Sequence, residues 1–202
     1  AYFEMNAIFF PAGILQPPFF NALADDAINY GAIGAVIGHE MTHGFDDQGR
    51  KFDKNGNLTD WWTQQDESNF NNSTEVLAGQ YDKLEALPGL FVNGNLTLGE
   101  NIADMGGLTI AYYAFHLTQP NETEKIDGFT ADQRFFLGNA QIWRENIRNE
   151  SLRTKVLTNP HSPCKFRIDG VVFNMPEFYL AFRDVKPGDK LYRLEDERPV
   201  IW

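Results

Sequence analysis

The segment AINYGAIGAVIGHEMTHGF, residues 27–45, decides the fold of this chain, because its apolar spacing predicts one helix that carries His39, Glu40 and His43. Residues four apart lie one above the other on a helix, so the two imidazoles share a face and Glu40 projects from the adjacent edge. Two neutral imidazoles at this spacing can bind one zinc ion. A third protein ligand leaves the fourth position to water, whose proton Glu40 can accept. The segment therefore predicts a hydrolytic zinc centre.

The same helix has an alternative interpretation as a core helix whose histidines hydrogen-bond internally. Gly31, Gly34 and Gly38 thin the helix, so that another element or a substrate chain can approach closely. They also weaken an isolated helix by up to about 1 kcal/mol each relative to alanine, so burial must hold it. Two histidines and a glutamate buried without a metal would each need a partner, and we therefore prefer the metal interpretation.

The composition of the 202 residues is that of one domain with a sizeable core, since 43% are hydrophobic and 17 are Phe. The net charge of -11 argues against nucleic acid or an anionic membrane surface as a partner, because those surfaces attract Lys and Arg. The sequence contains no run of 18 uncharged apolar residues, so it predicts no membrane span. The single cysteine, Cys164, excludes an internal disulfide framework and argues against a cysteine-ligated zinc site.

The first ten residues, AYFEMNAIFF, alternate like a β-strand and lack an initiating methionine. We therefore expect residues 1–202 to form one catalytic domain, the C-terminal part of a longer protein. An extracytoplasmic compartment, periplasmic or secreted, is favoured over the cytoplasm.

The rest of the chain predicts a mainly α fold with a small β component (α+β). Apolar periodicity, capping residues and turn signals divide it into helices and short strands. The predicted helices cover residues 61–87, 98–117, 131–147, 151–157 and 176–182, and the predicted strands cover residues 7–10, where a strand ends, and 166–173. Thr130 and Gln133 form a capping box for the helix at residues 131–147.

A second candidate cluster lies on the helix at residues 98–117, where Glu100 and Asp104 are four apart and share a face. Two carboxylates among apolar residues suit a metal ligand that a second carboxylate supports. Asp104 can fix the tautomer and orientation of a zinc-bound imidazole, and Asp46 and Asp47 could do the same. Thr97 and Glu100 also match a capping box, which would keep Glu100 away from a metal. The two interpretations of Glu100 compete at this point.

Six motifs in one order carry a resemblance to a known family. They are PAGILQPPFF, VIGHEMTHGFDDQGR, DWW, LGENIAD, HSP with FRI, and the terminal Trp. In this order they resemble the neprilysin family of zinc metalloendopeptidases, which includes the endothelin-converting enzymes and a bacterial endopeptidase branch. With its single cysteine, the chain resembles the bacterial branch more than the animal members, which carry several cysteines. The resemblance implies a thermolysin-like zinc peptidase catalytic domain that cleaves oligopeptides.

The resemblance also implies roles for individual residues. His39, His43 and Glu100 would bind one zinc ion, Glu40 would activate the water, and Asp104 would support His39, with a proton-donor role described for its counterpart. His161 would donate a hydrogen bond to the oxyanion of the tetrahedral intermediate, and Arg167 and Ala1 would bind the substrate backbone. The apolar pocket for the side chain after the scissile bond would be lined by Ile14, Phe19, Val36, Ile142 and Trp143. This pocket implies cleavage on the amino side of hydrophobic residues.

Two questions stay open in the sequence. His116 or His161, rather than Glu100, could complete the metal coordination. Family proteins are also far longer than this chain, and their N-terminal helical portion closes over the site and limits access to short peptides. We expect such a portion to cap this site. The alternative to an active enzyme is a zinc-stabilised but catalytically inactive binding module.

Overall fold

The computed structural model describes residues 1–121, 123–190 and 192–201. Within these ranges the α-helices are α1 (Asp26–Asn29), α2 (Ala35–Thr42), α3 (Gln64–Tyr81), α4 (Leu98–His116), α5 (Ala131–Ile142), α6 (Asn149–Thr158), α7 (Cys164–Val172) and α8 (Pro176–Ala181), and an antiparallel hairpin pairs β1 (Glu85–Leu87) with β2 (Leu90–Phe91). The prediction of a mainly α fold with a small β component is confirmed. Trp202, one of the residues that carry the family resemblance, lies outside the described residues.

The helix predicted over residues 27–45 is present, with a change of pitch inside it. Asp25 caps α1 by accepting a hydrogen bond from the Ala27 N–H at 2.9 Å. A π-helical turn at Tyr30–Gly34 joins α1 to α2, and a 3-10 turn at His43–Phe45 ends the helical path. Such π turns are frequent at functional sites, because they shift the phase of the side chains that follow.

Helices α2 and α4 touch through their backbones. A Cβ added at Gly38 would lie 2.5 Å from the Gly107 carbonyl oxygen, and one added at Gly106 would lie 2.6 Å from the Thr42 side chain. Any larger residue at these positions would push the helices apart. The glycines therefore bring the His-Glu-x-x-His helix against the helix that begins with Leu98.

The core beside these helices is aromatic, as the composition predicts. Phe115 on α4 stacks on Phe135 of α5 with ring centroids 5.9 Å apart, and Tyr112 meets the edge of Phe135 at 5.3 Å. The predicted capping box of Thr130 and Gln133 is present at the start of α5. This helix ends at Ile142, five residues before its predicted end, so Trp143 lies at the first non-helical position.

The strand predicted over residues 166–173 is wrong, because this segment forms the middle and end of α7. The Pro163 carbonyl accepts hydrogen bonds from the N–H groups of Phe166 and Arg167 and so starts the helix. Gly170 faces the ring of Tyr81, where a Cβ would lie 2.4 Å from the nearest atom. Burial of one helical face against Tyr81 overrides the β propensity of the valines.

Two further boundaries differ from the predictions. The helix predicted over residues 61–87 is limited to α3, which a capping box of Thr63 and Asp66 begins, and residues 85–87 form β1 instead. Gly89, with φ of 73°, makes the turn to β2. Residues 7–10 are not a strand either, because Asn6 adopts a left-handed conformation and only Tyr2 and Ala7 pair in an isolated bridge. Among the described residues, no helix is long and apolar enough to cross a membrane.

Candidate metal centre

The structure brings His39, His43 and Glu100 together at the contact between α2 and α4. Their ligand atoms lie within 4.8 Å of one another. Glu100 Oε2 is 3.3 Å from Nε2 of His39 and 3.7 Å from Nε2 of His43. Two ring nitrogens and a carboxylate oxygen thus converge on one point from two helices.

The polar atoms of this cluster fit a cation. Glu100 Oε2 is buried, and the Nε2 atoms of His39, His43 and His161 lie 3.3, 3.7 and 3.1 Å from it. A buried anionic oxygen costs several kcal/mol unless a cation compensates it. Two imidazole nitrogens and one carboxylate oxygen are the ligands of many catalytic zinc sites. The donor set therefore suits zinc.

Two aspartates lie behind the histidine rings. Asp46 Oδ2 is 2.7 Å from His43 Nδ1, and its other oxygen accepts hydrogen bonds from the backbone N–H groups of Gln48 and Gly49. Asp104 Oδ1 is 2.8 Å from His39 Nδ1. Each carboxylate leaves the Nε2 atom of its histidine directed towards Glu100.

Asp47 does not occupy the place that the sequence left open to it. Its Oδ2 accepts a hydrogen bond from the Gln48 side chain at 2.6 Å, and Asp46 alone meets His43 Nδ1. The prediction that Asp47 orients a ligand is therefore wrong. The turn at residues 46–49 directs Asp46 to His43 and Asp47 to the side chain of Gln48.

The capping-box interpretation of Glu100 is also wrong. Thr97 makes no side-chain capping bond. Its hydroxyl donates to the Asn93 carbonyl at 3.0 Å and accepts from Asn101 Nδ2 at 2.9 Å. Glu100 is consequently available to the histidines.

His116 does not complete the cluster. It lies at the other end of α4, about 24 Å from Glu100 along the axis at about 1.5 Å per residue, and its Nε2 is 2.9 Å from Asp132 Oδ1. His161 is close, with Nε2 at 3.1 Å from Glu100 Oε2, but its side chain is 44% exposed. His161 therefore stands at the rim of the cluster, on the loop between α6 and α7.

The charged side chains of the cluster strongly shift one another's pKa values. Burial alone would lower the pKa of His39, but Asp104 and Glu100 raise it to about 9. Burial would raise the pKa of Glu100, yet His161 and His39 hold it well below its usual range. The carboxylates are thus anionic at neutral pH, and without a metal His39 carries a proton in their field.

Arg167 completes the electrostatics from α7. Its Nε and Nη2 donate to the two oxygens of Asp104 at 2.7 and 2.6 Å. The guanidinium carbon lies 3.9 Å from the centre of the Trp143 ring, which it stacks on. The side chain that the resemblance assigns to substrate is therefore also fixed as the partner of Asp104.

An apolar cavity of about 240 Å³ opens beside the cluster. Its walls include the five apolar residues that the resemblance placed there, namely Ile14, Phe19, Val36, Ile142 and Trp143, and also Glu40, His161 and Arg167. The sequence did not indicate Ala35, Leu108, Asn139 and Val171, which line it too. Leu108 could have been found, because it lies one turn beyond Asp104 on the same helix face.

Glu40 lies between this cavity and a second one. The second cavity, of about 270 Å³, is lined by Ala1, Tyr2 and Glu40 among others. The Glu40 carboxylate thus borders both cavities.

A mainly helical fold with a His-His-Glu cluster, an adjacent glutamate and an apolar cavity is an arrangement typical of zinc metallopeptidases. The family description "Peptidase family M13" matches residues 1–198, and the chain belongs to this family. The resemblance to the neprilysin family is therefore confirmed.

Known proteins of this family are similar over nearly the whole chain. Human neprilysin is 48% identical over 203 residues, which cover 98% of this chain and 27% of neprilysin, and rat endothelin-converting enzyme 1 is 47% identical over 88% of this chain and 24% of its own length. The zinc metalloprotease Zmp1 of Mycobacterium tuberculosis, solved with an inhibitor, has a TM-score of 0.95 and 49% identity over 99% of this chain and 31% of Zmp1. PepO from Lactobacillus rhamnosis HN001 has a TM-score of 0.84 and 37% identity over 96% of this chain and 29% of PepO. The chain spans about a quarter of the length of these curated relatives.

Proposed function

We propose that this chain is the catalytic domain of a zinc-dependent endopeptidase that hydrolyses oligopeptides. The observation that carries the proposal is the convergence of three ligand atoms, because Glu100 Oε2 is buried and lies 3.3 Å from Nε2 of His39 and 3.7 Å from Nε2 of His43. Zinc held by these three residues would polarise the scissile carbonyl and lower the pKa of a bound water to roughly 7. One zinc ion per chain is expected from the single cluster that the described residues form.

Glu40 is proposed as the general base. It follows His39 directly on α2, and both side chains line the apolar cavity, so a water bound to the metal on that side would lie near the Glu40 carboxylate. A carboxylate in this position can take a proton from the attacking water and pass it on to the leaving amine. No other carboxylate among the residues described here lines both cavities.

Asp104 is proposed to orient His39 and not to donate a proton. Burial alone would raise the pKa of Asp104, but Arg167 and His39 hold it below its ordinary value. A carboxylate that stays ionised has no proton to give. Its proposed task is to fix the His39 ring, while Arg167 keeps it in place.

His161 and Arg167 are proposed to stabilise the charge that develops on the substrate. Both line the apolar cavity beside the cluster, and His161 Nε2 is directed at Glu100. An N–H donor at the place where an oxyanion forms contributes about 3 to 4 kcal/mol. Ala1 is proposed to bind substrate backbone on the other side of Glu40.

The apolar cavity supports a preference for hydrophobic residues after the scissile bond. Its walls from Ile14, Phe19, Val36, Ile142 and Trp143 favour burial of an apolar side chain. We therefore propose cleavage on the amino side of hydrophobic residues. Additional polypeptide, such as the N-terminal portion expected above, is proposed to cap the site and to restrict it to short peptides.

The test is the exchange Glu40→Gln in the zinc-loaded protein, assayed with an internally quenched peptide that has a central Phe. Cleavage should disappear while zinc stays near one per chain, because Gln keeps the size but cannot accept the proton. Glu75→Gln, an exposed position on α3, is the matched control and should cleave normally.

Two outcomes would contradict the proposal. Retained cleavage in Glu40→Gln would refute the base. A wild-type protein that binds one zinc yet cleaves no peptide would favour the inactive binding module. Chelator-sensitive cleavage by the wild type would exclude that module.

A further inference from the structure

His161 has an unusual position for a residue with a proposed catalytic task, because it lies on a loop and its side chain is 44% exposed. An exposed imidazole ordinarily samples several rotamers. Its Nε2 nevertheless lies 3.1 Å from Glu100 Oε2. We therefore looked for contacts of the neighbouring residues that hold the imidazole ring near Glu100.

One contact fixes the orientation of the ring. Asn159 Oδ1 accepts from the backbone N–H of His161 at 2.8 Å and lies 2.9 Å from His161 Nδ1. A backbone N–H can only donate, so the shared atom is the amide oxygen and Nδ1 must carry a proton; in the imidazolium form Nε2 is a donor as well. Nε2 is therefore the nitrogen that faces the metal cluster.

A second contact fixes the position of the loop. The next residue, Ser162, is buried, and its hydroxyl donates to Asn101 Oδ1 at 2.8 Å. Asn101 is 0% exposed and directly follows Glu100 on α4. Its Nδ2 donates to Thr97 Oγ1, which in turn donates to the Asn93 carbonyl.

These bonds form one buried chain of polar groups in which every hydroxyl proton has a single acceptor. The chain joins the residue after His161 to the residue after Glu100, through side chains that do not line the apolar cavity. A fully satisfied buried network holds its members in one arrangement. The network therefore ties the backbone next to His161 to the backbone next to Glu100.

We propose that the hydrogen bond from Ser162 to Asn101 positions His161 beside the metal cluster, so that Ser162 and Asn101 are positioning residues for peptide hydrolysis that never touch the substrate. The proposal rests on the proposed endopeptidase function. It predicts that Ser162 acts on turnover only through His161.

The experiment is a double-mutant cycle in the zinc-loaded protein. Ser162→Ala should lower kcat about tenfold with KM within about twofold, and Ser162→Thr, which keeps the hydroxyl, should restore most of the rate. His161→Ala should lower kcat about a hundredfold, the size expected for one lost oxyanion donor. In the His161→Ala background, Ser162→Ala should then change kcat less than about twofold.

The controls separate positioning from folding. Thr158→Val removes an exposed hydroxyl four residues earlier and should leave kcat unchanged. If Ser162→Ala does not fold, Ser162→Cys keeps the side-chain size with a much weaker donor and takes its place in the cycle. An equal loss of kcat in both backgrounds, or no loss in either, would overturn the proposal.

A second readout does not depend on activity. In the zinc-loaded protein with ¹⁵N-labelled histidine rings, Ser162→Ala should shift or broaden the His161 ring signals and leave those of His116 unchanged. If the wild type cleaves no peptide, the proposed function fails, and the ring signals still decide whether Ser162 positions His161. Unaltered His161 signals would refute the positioning role.

Discussion

At the scale of single residues, Asp104 links the metal cluster to α7. Its two oxygens accept from Arg167, and one of them lies 2.8 Å from His39 Nδ1. Removing one partner from a buried ion pair leaves the other charge without compensation, at a cost of about 3 to 5 kcal/mol. Asp104 is therefore a residue whose loss should affect both metal binding and folding.

We predict that Asp104→Asn weakens zinc binding about 10- to 100-fold, because His39 loses the carboxylate that orients it. The measurement is a competition titration against a chromophoric chelator. Asp132→Asn, which removes a carboxylate beside His116 at the far end of α4, should leave zinc affinity unchanged. Equal affinities for Asp104→Asn and wild type would contradict the role given to Asp104.

The proton on His39 gives a prediction for pH. The pKa of His39 in the metal-free protein is raised to about 9, above its ordinary value of 6.5, by Asp104 and Glu100 against the effect of burial. A metal must displace this proton, so apparent zinc affinity should rise with pH between 7 and about 9 and level off above that. Calorimetry in two buffers with different ionisation enthalpies should show proton release at pH 7.5. A zinc affinity that stays constant from pH 7 to 9 would show that His39 is already neutral there.

The raised pKa of His39 also makes the stability of the metal-free protein depend on pH. A group whose pKa is raised by folding stabilises the folded protein below its unfolded pKa, and this contribution is lost as the pH rises through the folded pKa. For His39 the metal-free fold should thus lose stability between about pH 6.5 and 9. Zinc replaces the proton and should flatten this dependence.

At the scale of elements, the contact between α2 and α4 determines the metal cluster. A Cβ at Gly107 would lie 2.4 Å from the His39 backbone nitrogen. We predict that Gly107→Ala costs about 1 to 3 kcal/mol through overpacking, or about 2 to 12 °C in Tm, and weakens zinc binding. Thermal unfolding and the zinc titration measure the two effects.

Gly79→Ala is the matched control for this prediction. Gly79 lies inside α3, and a Cβ there meets nothing within 4 Å. Alanine should therefore leave zinc binding unchanged and stabilise the helix by up to about 1 kcal/mol. Equal behaviour of the two alanine variants would refute the close contact of α2 and α4.

At the scale of the whole molecule, zinc should couple to unfolding. The ligands come from α2, from the 3-10 turn that follows it and from α4, so the site exists only in the folded chain. Binding stabilises the fold by about 2.7 kcal/mol at free zinc 100 times its Kd. A chelator should lower Tm by about 5 to 10 °C. Glu40→Gln keeps all three ligands and should show the same fall, whereas an unchanged Tm would mean that zinc does not bind at this cluster.

The sequence predicts most of the cluster because its parts are local. His39, Glu40 and His43 lie on one helix, and Glu100 and Asp104 lie on another, so helical spacing is enough to find them. Spacing does not show which side chains meet across the fold. Nothing in the sequence analysis pairs Arg167 with Asp104, which is 63 residues away.

The errors have physical causes as well. Asp46 and Asp47 are equivalent in the sequence, and only the turn that follows Phe45 decides which of them faces His43. Residues 166–173 are rich in residues that favour strands, but contact with Tyr81 makes them helical. At residues 166–173, tertiary contacts overrode local propensity.

The glycine contact between α2 and α4 has a consequence for selectivity among ions. Main-chain atoms, which have no rotamers, set the spacing of the three ligands, so the cluster cannot widen to admit more donors. Calcium takes six to eight oxygen ligands at longer distances, whereas zinc accepts four-coordinate nitrogen and oxygen sites. A rigid scaffold of this kind discriminates by size, and millimolar calcium should leave zinc occupancy unaltered.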